Sequence, residues 1–463
     1  MIARPMRDLV LLAFVAAVLV MGFKRPFLWV LLYIYVDIVS PQQIGWGIIT
    51  SLSLSLVTFI AAFAGYVLLD NKQGSRLTLQ QGLIIGLLAW CGYTTLGAVF
   101  QDTAWEKWDW VWKSLFFAAF LPLTLRTRLR LEAAVLVFTL SIAAIAINGG
   151  IKTVLGGGGY GTLTLLVDAN SGIYEGSIIS TAAIATIPLI LFLARRGTVF
   201  APGKLVWLFC AALILSCLLI PIGTNARTGL VCIAVLGVLL MRQARHRFVF
   251  AGLASVAMVL SLPFLPQEYV ERMGTITGYQ SDESASTRIA VWKWTYQYAL
   301  ANPMGGGFDA YRANSFTYQM PEVIGEGNNR QVTYREVTDE ARAYHSSYFE
   351  MLGEQGWLGL FMWLLLHALG LWQMERIRRR ESAKHADRDI WMHDLATGLQ
   401  HAQIIVLVGA AFVGIAYQSF IFLLVAMQCA LWSQWQMKRK GAGKAPLSQR
   451  LDEARKSTAI PAA

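Results

Sequence analysis

Apolar runs separated by short polar segments fill most of the chain. Runs of about 20 residues match the length of an α-helix that crosses a hydrocarbon layer about 30 Å thick. The pattern predicts an all-α polytopic membrane protein with about twelve transmembrane helices. The helices are predicted at about 8–23, 26–39, 46–69, 80–100, 109–125, 131–148, 175–195, 204–222, 228–241, 247–264, 345–373 and 402–435.

One long polar segment, residues 265–344, interrupts this pattern between two hydrophobic halves. We expect it to form a partly helical cap on one side of the bilayer, covering a site whose other wall consists of helix ends. The predicted domains are N-terminal transmembrane helices at 1–204, transmembrane helices of a core at 205–264, the cap at 265–344, C-terminal transmembrane helices at 345–437 and a disordered cytoplasmic tail at 438–463.

Basic residues indicate the orientation. The formal net charge of +11 would by itself suit a nucleic-acid partner. The Lys and Arg residues, however, cluster in short loops between predicted helices, which is typical of cytoplasmic loops. We therefore expect no nucleic-acid partner, two cytoplasmic termini, and a multi-pass membrane protein whose cap faces the opposite side, which in a bacterium is the periplasm. The basic clusters lie at 126–130, 195–204, 242–247, 376–388 and 438–444.

Two apolar stretches do not fit single crossings. Residues 401–435 have basic flanks at both ends, which favours two short crossings with a turn near 417–419. Residues 1–39 hold two short apolar runs separated by Lys24 and Arg25, although the charge pattern leaves one net crossing there. One of those two runs is therefore predicted to be tilted, interfacial or re-entrant.

Two arginines on the periplasmic side are candidate anion ligands. Arg227 lies at a predicted helix end where arginine is against the charge bias, so it either snorkels to the interface or binds an anion. Arg288 follows Ser286, a predicted N-cap, and shares a helix face with Trp292. The helix is predicted to stop at 302–303. It is either a solvated side chain or a phosphate ligand near a helix N-terminus.

His345 is the candidate general base. Among the six histidines it alone lies where the periplasmic segment enters a membrane helix. Partial burial and a nearby helix N-terminus both favour the neutral imidazole, although a structural histidine bonded to the backbone would occupy the same position.

Other chemistries lack motifs. The five cysteines lie in apolar runs without CxxC spacing, and no metal-binding motif or GxSxG nucleophile motif occurs on the periplasmic side. We therefore predict no metal and no cofactor. A base with arginines suits displacement of an anionic leaving group by an alcohol.

These residues together resemble the O-antigen ligase and polymerase superfamily of bacterial membrane glycosyltransferases of the GT-C type. The resemblance covers roughly 205–435 and rests on Ala226-Arg227-Thr228-Gly229, on Arg288 with Trp292 and the Asn-Pro and triple-glycine run at 302–307, and on 343–359, where Tyr344-His345 leads into Glu-x-Gly-x-x-Gly. The N-terminal half looks like the ligase-like branch often found with exosortase systems.

The resemblance implies an O-antigen ligase. It would transfer a glycan from undecaprenyl diphosphate to a sugar hydroxyl of lipid A–core in the bilayer, with inversion and without metal. Arg227 and Arg288 would bind the diphosphate, and His345 would activate the hydroxyl. Trp292, Tyr344 and Glu350 would support the site. Family ligases often carry a further cation in earlier periplasmic loops, and Lys152 is the only one between residues 148 and 176.

Two groups of alternatives remain open. An O-antigen polymerase or a protein O-oligosaccharyltransferase of the same superfamily would differ only in its acceptor. A lipid-linked glycan transporter or flippase would require charged residues deep inside its helices. The apolar runs contain few such residues apart from Asp37 and Glu350.

Overall fold

The computed structural model describes residues 3–45, 47–73, 76–156, 163, 165, 172–242, 283–324, 331–382 and 388–444. These residues form fourteen α-helices and one two-stranded antiparallel sheet. The helices are α1 Ala3–Gly22, α2 Phe27–Val39, α3 Pro41–Ile44, α4 Leu54–Leu68, α5 Leu79–Leu96, α6 Gln101–Thr124, α7 Arg128–Gly156, α8 Gly176–Arg196, α9 Lys204–Gly223, α10 Arg227–Met241, α11 Glu283–Ala301, α12 Ser347–Arg380, α13 Ile390–Gly409 and α14 Ser419–Lys444. The strands are β1 Ser315–Ile324 and β2 Gln331–Glu340. The predicted helix at 247–264 lies outside the described residues.

The helices have the lengths and surfaces of a helical membrane protein. Within the described residues, five of them (α7, α8, α9, α12 and α14) are long and apolar enough to cross a membrane. The exposed face of α9 is apolar, with Leu205 81% and Leu208 69% exposed. In water such a face would be unfavourable, whereas in a bilayer it contacts lipid tails.

Helix α8 lies at the centre of the bundle. Of its most apolar stretch of 18 residues, 89% are buried, whereas the corresponding share for α9 is 28%. Helix α8 packs on α7, α9, α10 and α13. Small residues permit this packing: a Cβ on Gly409 of α13 would lie 2.7 Å from Thr181 Oγ1 of α8. The start of α8 therefore holds a fixed position at the site described below.

The last apolar stretch is broken, as its charged flanks predict. Helix α13 ends at Gly409 and α14 begins at Ser419, so the predicted break within 401–435 is confirmed, but it occupies 410–418 and begins earlier than the predicted turn at 417–419. The non-helical residues 410–418 dock on the first turn of α12, where Ser347 N donates to Ala410 O at 2.8 Å and Ser347 Oγ donates to Val413 O at 2.8 Å. Helix α13 begins at Ile390, well before the predicted 402. Helix α14 continues to Lys444, into the segment predicted as the tail.

The polar segment departs from the prediction in two ways. Ser286 does not cap its helix, because α11 begins at Glu283 and Ser286 lies in its first turn; an acidic residue at the helix start favours this earlier beginning. Helix α11 does end at Ala301, directly before Asn302-Pro303, as predicted. The hairpin β1–β2, in which Ser315 pairs with Glu340, was not predicted.

Candidate functional site

A cavity of about 690 Å³ brings the predicted site residues together. It is bounded by α6, by the starts of α8, α10 and α12, by α11, and by residues 412–414. Arg227, Arg288 and His345 all line it, although they lie on different elements. Its other charged residues are Lys107, Glu175, Arg342, Glu350 and Glu354.

Arg227 is the first residue of α10. Asn225, two residues before it, has φ 49°, a left-handed conformation that asparagine tolerates better than most residues. A Cβ on Gly229 would lie 2.6 Å from the Pro221 ring and 2.9 Å from Ser180 Cβ, so glycine is required for α10 to approach α9 and α8. The Arg-Thr-Gly sequence thus places an arginine and the N-terminal end of a helix at the cavity, a combination suited to anions.

His345 precedes α12 and is exposed to the cavity. Its φ of 49° is left-handed, and such strain in a residue other than glycine is common at functional sites. Desolvation, followed by the positive charges of Arg288 and Arg342, lowers the pKa of the imidazole below its usual range. His345 is therefore neutral near pH 7 and can accept a proton.

Four aromatic residues pack around the backbone that carries His345. Trp292 Nε1 donates to the Tyr344 carbonyl at 2.9 Å, and the Trp292 ring stacks on Phe349 with centroids 5.0 Å apart. Tyr344 is only 3% exposed and packs edge-on against Tyr311. Helix α11, which carries Arg288, is thereby attached to the start of α12, which carries His345.

The triple-glycine run and the Glu-x-Gly motif form one packing unit. Helix α12 is interrupted at Gly356, which has φ 64°. The run crosses this break closely: Gly306 N donates to Gly353 O at 3.0 Å, and Gly307 N donates to Glu354 O at 2.9 Å. A Cβ on Gly305 would lie 2.5 Å from the Glu354 carbonyl. These contacts hold the first turns of α12 beneath the cap segment.

Lys107 also lines the cavity and was not predicted from the sequence. Its Nζ lies 2.9 Å from Glu354 Oε1, 3.0 Å from Glu350 Oε1 and 3.8 Å from Asp309 Oδ1. The predicted helix began at 109 and so excluded it, whereas α6 begins at Gln101. The available signal was Glu354: a carboxylate predicted inside an apolar helix requires a cation from elsewhere in the chain.

Arg342 is a third arginine at the cavity and was also missed. Asn314 fixes its backbone, since Asn314 Nδ2 donates to Arg342 O at 2.7 Å and Asn314 Oδ1 accepts from Arg342 N at 2.9 Å. Lys152, the cation considered from sequence, is not among the residues that line the cavity in the described part of the chain. Its Nζ donates to the Leu165 carbonyl at 3.0 Å.

A second cavity of about 340 Å³ adjoins the first. The two share Lys107, Glu350 and Gly414. Trp110, 38% exposed, and the carboxylate of Glu106 also line the second cavity. An aromatic ring beside carboxylates is chemistry that suits a hydroxyl-rich molecule, because the ring contacts its C–H face and the carboxylates accept from its hydroxyls.

Comparisons with known proteins divide the chain in two. Residues 209–364 match the family model described as O-Antigen ligase, and residues 6–198 match a family of unknown function (DUF5935). A search of curated proteins found no match. Arg227, Arg288 and His345 lie in the first matched region, whereas Lys107 lies in the second.

Proposed function

We propose that this chain, which belongs to the O-antigen ligase superfamily through residues 209–364, transfers a glycan from undecaprenyl diphosphate to a sugar hydroxyl of lipid A–core. The observation that carries the proposal is the single cavity lined by Arg227, Arg288, Arg342 and His345. Three guanidinium groups suit a diphosphate, and a neutral imidazole suits an attacking hydroxyl.

The site is proposed to face the periplasm of a bacterial inner membrane. Helix α12 is interrupted at Gly356, and its 24 residues from Trp357 to Arg380 are about 36 Å long, enough to cross a hydrocarbon core of about 30 Å. His345 precedes its first turn, whereas Arg378, Arg379 and Arg380 occupy its last. The basic end is expected on the cytoplasmic side, so the cavity lies on the other. About twelve crossings, cytoplasmic termini and a periplasmic cap at 265–344 complete this proposal, with 1–204, 205–264 and 345–437 as its membrane domains.

The arginines are proposed to bind the donor diphosphate. Arg227 acts beside the N-terminus of α10, and Arg288 and Arg342 approach from the cap segment. Charge-assisted hydrogen bonds from guanidinium groups stabilise the diphosphate more as it accumulates charge during departure. Trp292, Tyr344 and Glu350 do not contact the donor in this scheme but keep His345 and α12 in position.

The reaction is a single displacement. The imidazole of His345 removes the proton of the acceptor hydroxyl while that oxygen attacks the anomeric carbon of the donor glycan. The bond between this carbon and the diphosphate oxygen breaks, and its electron pair leaves with the diphosphate anion. One attack from the opposite face inverts the anomeric configuration, and the arginines stabilise the leaving anion without a protein acid or metal.

The acceptor is proposed to approach through the second cavity, where Trp110 would contact a sugar ring. Trp110→Ala should raise the KM for the acceptor several-fold and leave the KM for the donor unchanged. Trp105→Ala is the matched control, because Trp105 lies on the same helix, is 46% exposed and does not line this cavity. Equal effects of the two substitutions would show that the acceptor does not bind in this cavity.

Reconstitution tests the proposed function. Purified protein in liposomes receives undecaprenyl-diphosphate glycan together with lipid A–core, free glycan or a serine-containing protein as the acceptor. Transfer to lipid A–core is expected. Product on free glycan or protein instead would keep the transferase chemistry and replace the acceptor. Absence of transfer to all three, with donor bound and protein folded, would overturn the proposal.

A further inference from the structure

The cluster around Lys107 joins the two family-matched regions of the chain. Lys107 belongs to residues 6–198, and its carboxylate partners Glu350 and Glu354 belong to residues 209–364. The side chain of Glu354 is fully buried, and those of Lys107 and Glu350 are 14% and 11% exposed. Loss of one member of a buried ion pair leaves an uncompensated buried charge, so this contact is costlier to break than a surface pair.

The two carboxylates require this lysine. Glu350 and Glu354 lie four residues apart on α12 and therefore face the same side of the helix, where like charges repel. Burial strengthens that repulsion because little water screens it. The Lys107 ammonium contacts both carboxylates and lies 4.8 Å from the centre of the Tyr417 ring, which adds a cation–π contact.

The same carboxylates hold three further segments in place. Glu354 Oε1 accepts from Asp309 N at 3.0 Å, which secures the loop after the triple-glycine run. Glu350 Oε2 accepts from Ala416 N at 3.1 Å, which secures the non-helical segment before α14. The first turns of α12, and His345 directly before them, depend on these contacts.

We propose that Lys107 is a positioning residue through which the region of unknown function completes the site. By balancing Glu350 and Glu354, it keeps the start of α12 in the geometry that presents His345 to the acceptor. This inference rests on the proposed function for its catalytic consequence, but its structural consequence is measurable without any transfer.

Substitution of Lys107 removes the balancing charge. Lys107→Met keeps the chain length without the ammonium, and Lys107→Met/Glu354→Gln also removes one of the two negative charges. Lys113→Met is the control, because Lys113 lies on the same helix with a side chain also 14% exposed but pairs with the exposed Asp109. Glu354→Gln alone completes the set.

Two measurements decide the outcome. Hydrogen exchange of peptides covering 344–354 should become faster in Lys107→Met and return toward wild type in the double variant. The kcat for transfer should fall about 100-fold in Lys107→Met, because small displacements of catalytic groups have effects of this size, and should recover in the double variant. Lys113→Met should match wild type in both measurements.

The pH dependence separates charge balance from packing. Without Lys107, one of the two carboxylates must keep a proton to relieve the repulsion, so Lys107→Met should lose activity relative to wild type as pH rises. The double variant should show no such loss. Among the described residues, the other titratable groups that face this pair are Asp309, Cys91, Tyr311, Tyr344 and Tyr417. The cysteine and the tyrosines are neutral near pH 7.

The outcomes are distinct. Lys107→Met that behaves like Lys113→Met overturns the inference, and so does a double variant that stays inactive or unfolded. If Lys107→Met does not accumulate in membranes, accumulation and activity of the double variant support the inference. If no variant or wild type transfers glycan, the proposed function fails, while the exchange data still decide the role of Lys107.

Discussion

Replacement of His345 by glutamine is the sharpest test of the mechanism. Glutamine keeps a similar shape and can form hydrogen bonds, but it cannot accept the proton of the acceptor hydroxyl. Loss of general-base catalysis should lower kcat by about 10²–10⁴, which corresponds to about 3–5 kcal/mol of transition-state stabilisation. Donor binding should remain, because the arginines provide it.

The backbone of His345 calls for a second variant. Its left-handed φ of 49° is strained for most residues, and asparagine adopts this region more readily than glutamine does. His345→Asn should therefore fold at least as well as His345→Gln and be equally inactive. If His345→Asn is active while His345→Gln is not, backbone strain rather than proton transfer explains the loss.

The pH–rate profile supplies the independent check. Since burial, Arg288 and Arg342 lower the pKa of His345, the wild-type rate should be constant near pH 7 and fall only as pH drops through that lowered pKa. Removal of a neighbouring positive charge raises the pKa, so the acidic limb of Arg288→Ala should move to higher pH. The assay is glycan transfer by purified protein across the pH range.

One result would refute the reasoning. Near-normal turnover in a folded His345→Gln, with an acidic limb unchanged from wild type, would place the general base elsewhere. His345 would then be an orienting or structural residue.

Three further predictions follow from the site. Arg227→Ala should strongly reduce transfer, and Arg227→Lys should restore little of it because lysine lacks the planar guanidinium fork. Arg335→Ala, in the exposed hairpin, is the control, and full activity of Arg227→Ala would show that Arg227 does not bind the donor. Gly356→Ala should lower stability in detergent by more than about 1 kcal/mol, because its φ is 64° and a Cβ would lie 2.5 Å from the Met304 carbonyl carbon. Gly237→Ala, which has open space around it, should be neutral or slightly stabilising, and equal melting temperatures of the two variants would contradict the packing described. Transfer should survive EDTA, and a loss restored by magnesium or manganese would show that carboxylates such as Asp309 hold a metal.

Local sequence signals were sufficient to predict a helical membrane protein. An apolar run must become a helix in lipid, because every backbone N–H and C=O needs a partner within the segment. Charged flanks likewise predicted the interruption of 402–435, since a single helix with basic residues at both ends conflicts with the charge asymmetry of membranes. These determinants lie within about 20 residues of the feature they specify.

The three candidate site residues that line the cavity were also found from local patterns. Arg227 stood out against the charge bias, Arg288 shared a helix face with Trp292, and His345 lay at the boundary between polar and apolar sequence. Ser286 shows the limit of this reasoning: a helix does not have to begin at a favourable N-cap residue when the residues before it can also be helical.

Only the tertiary structure identified Lys107, Arg342 and the role of Gly356. Lys107 and Glu354 are separated by 247 positions, and nothing in either neighbourhood specifies the other. The glycine at 356 is needed because the run at 303–307 crosses α12 there, which neither segment reveals alone. Charge pairing and close packing depend on distance in space, and only the folded bundle brings together residues that lie far apart in the sequence.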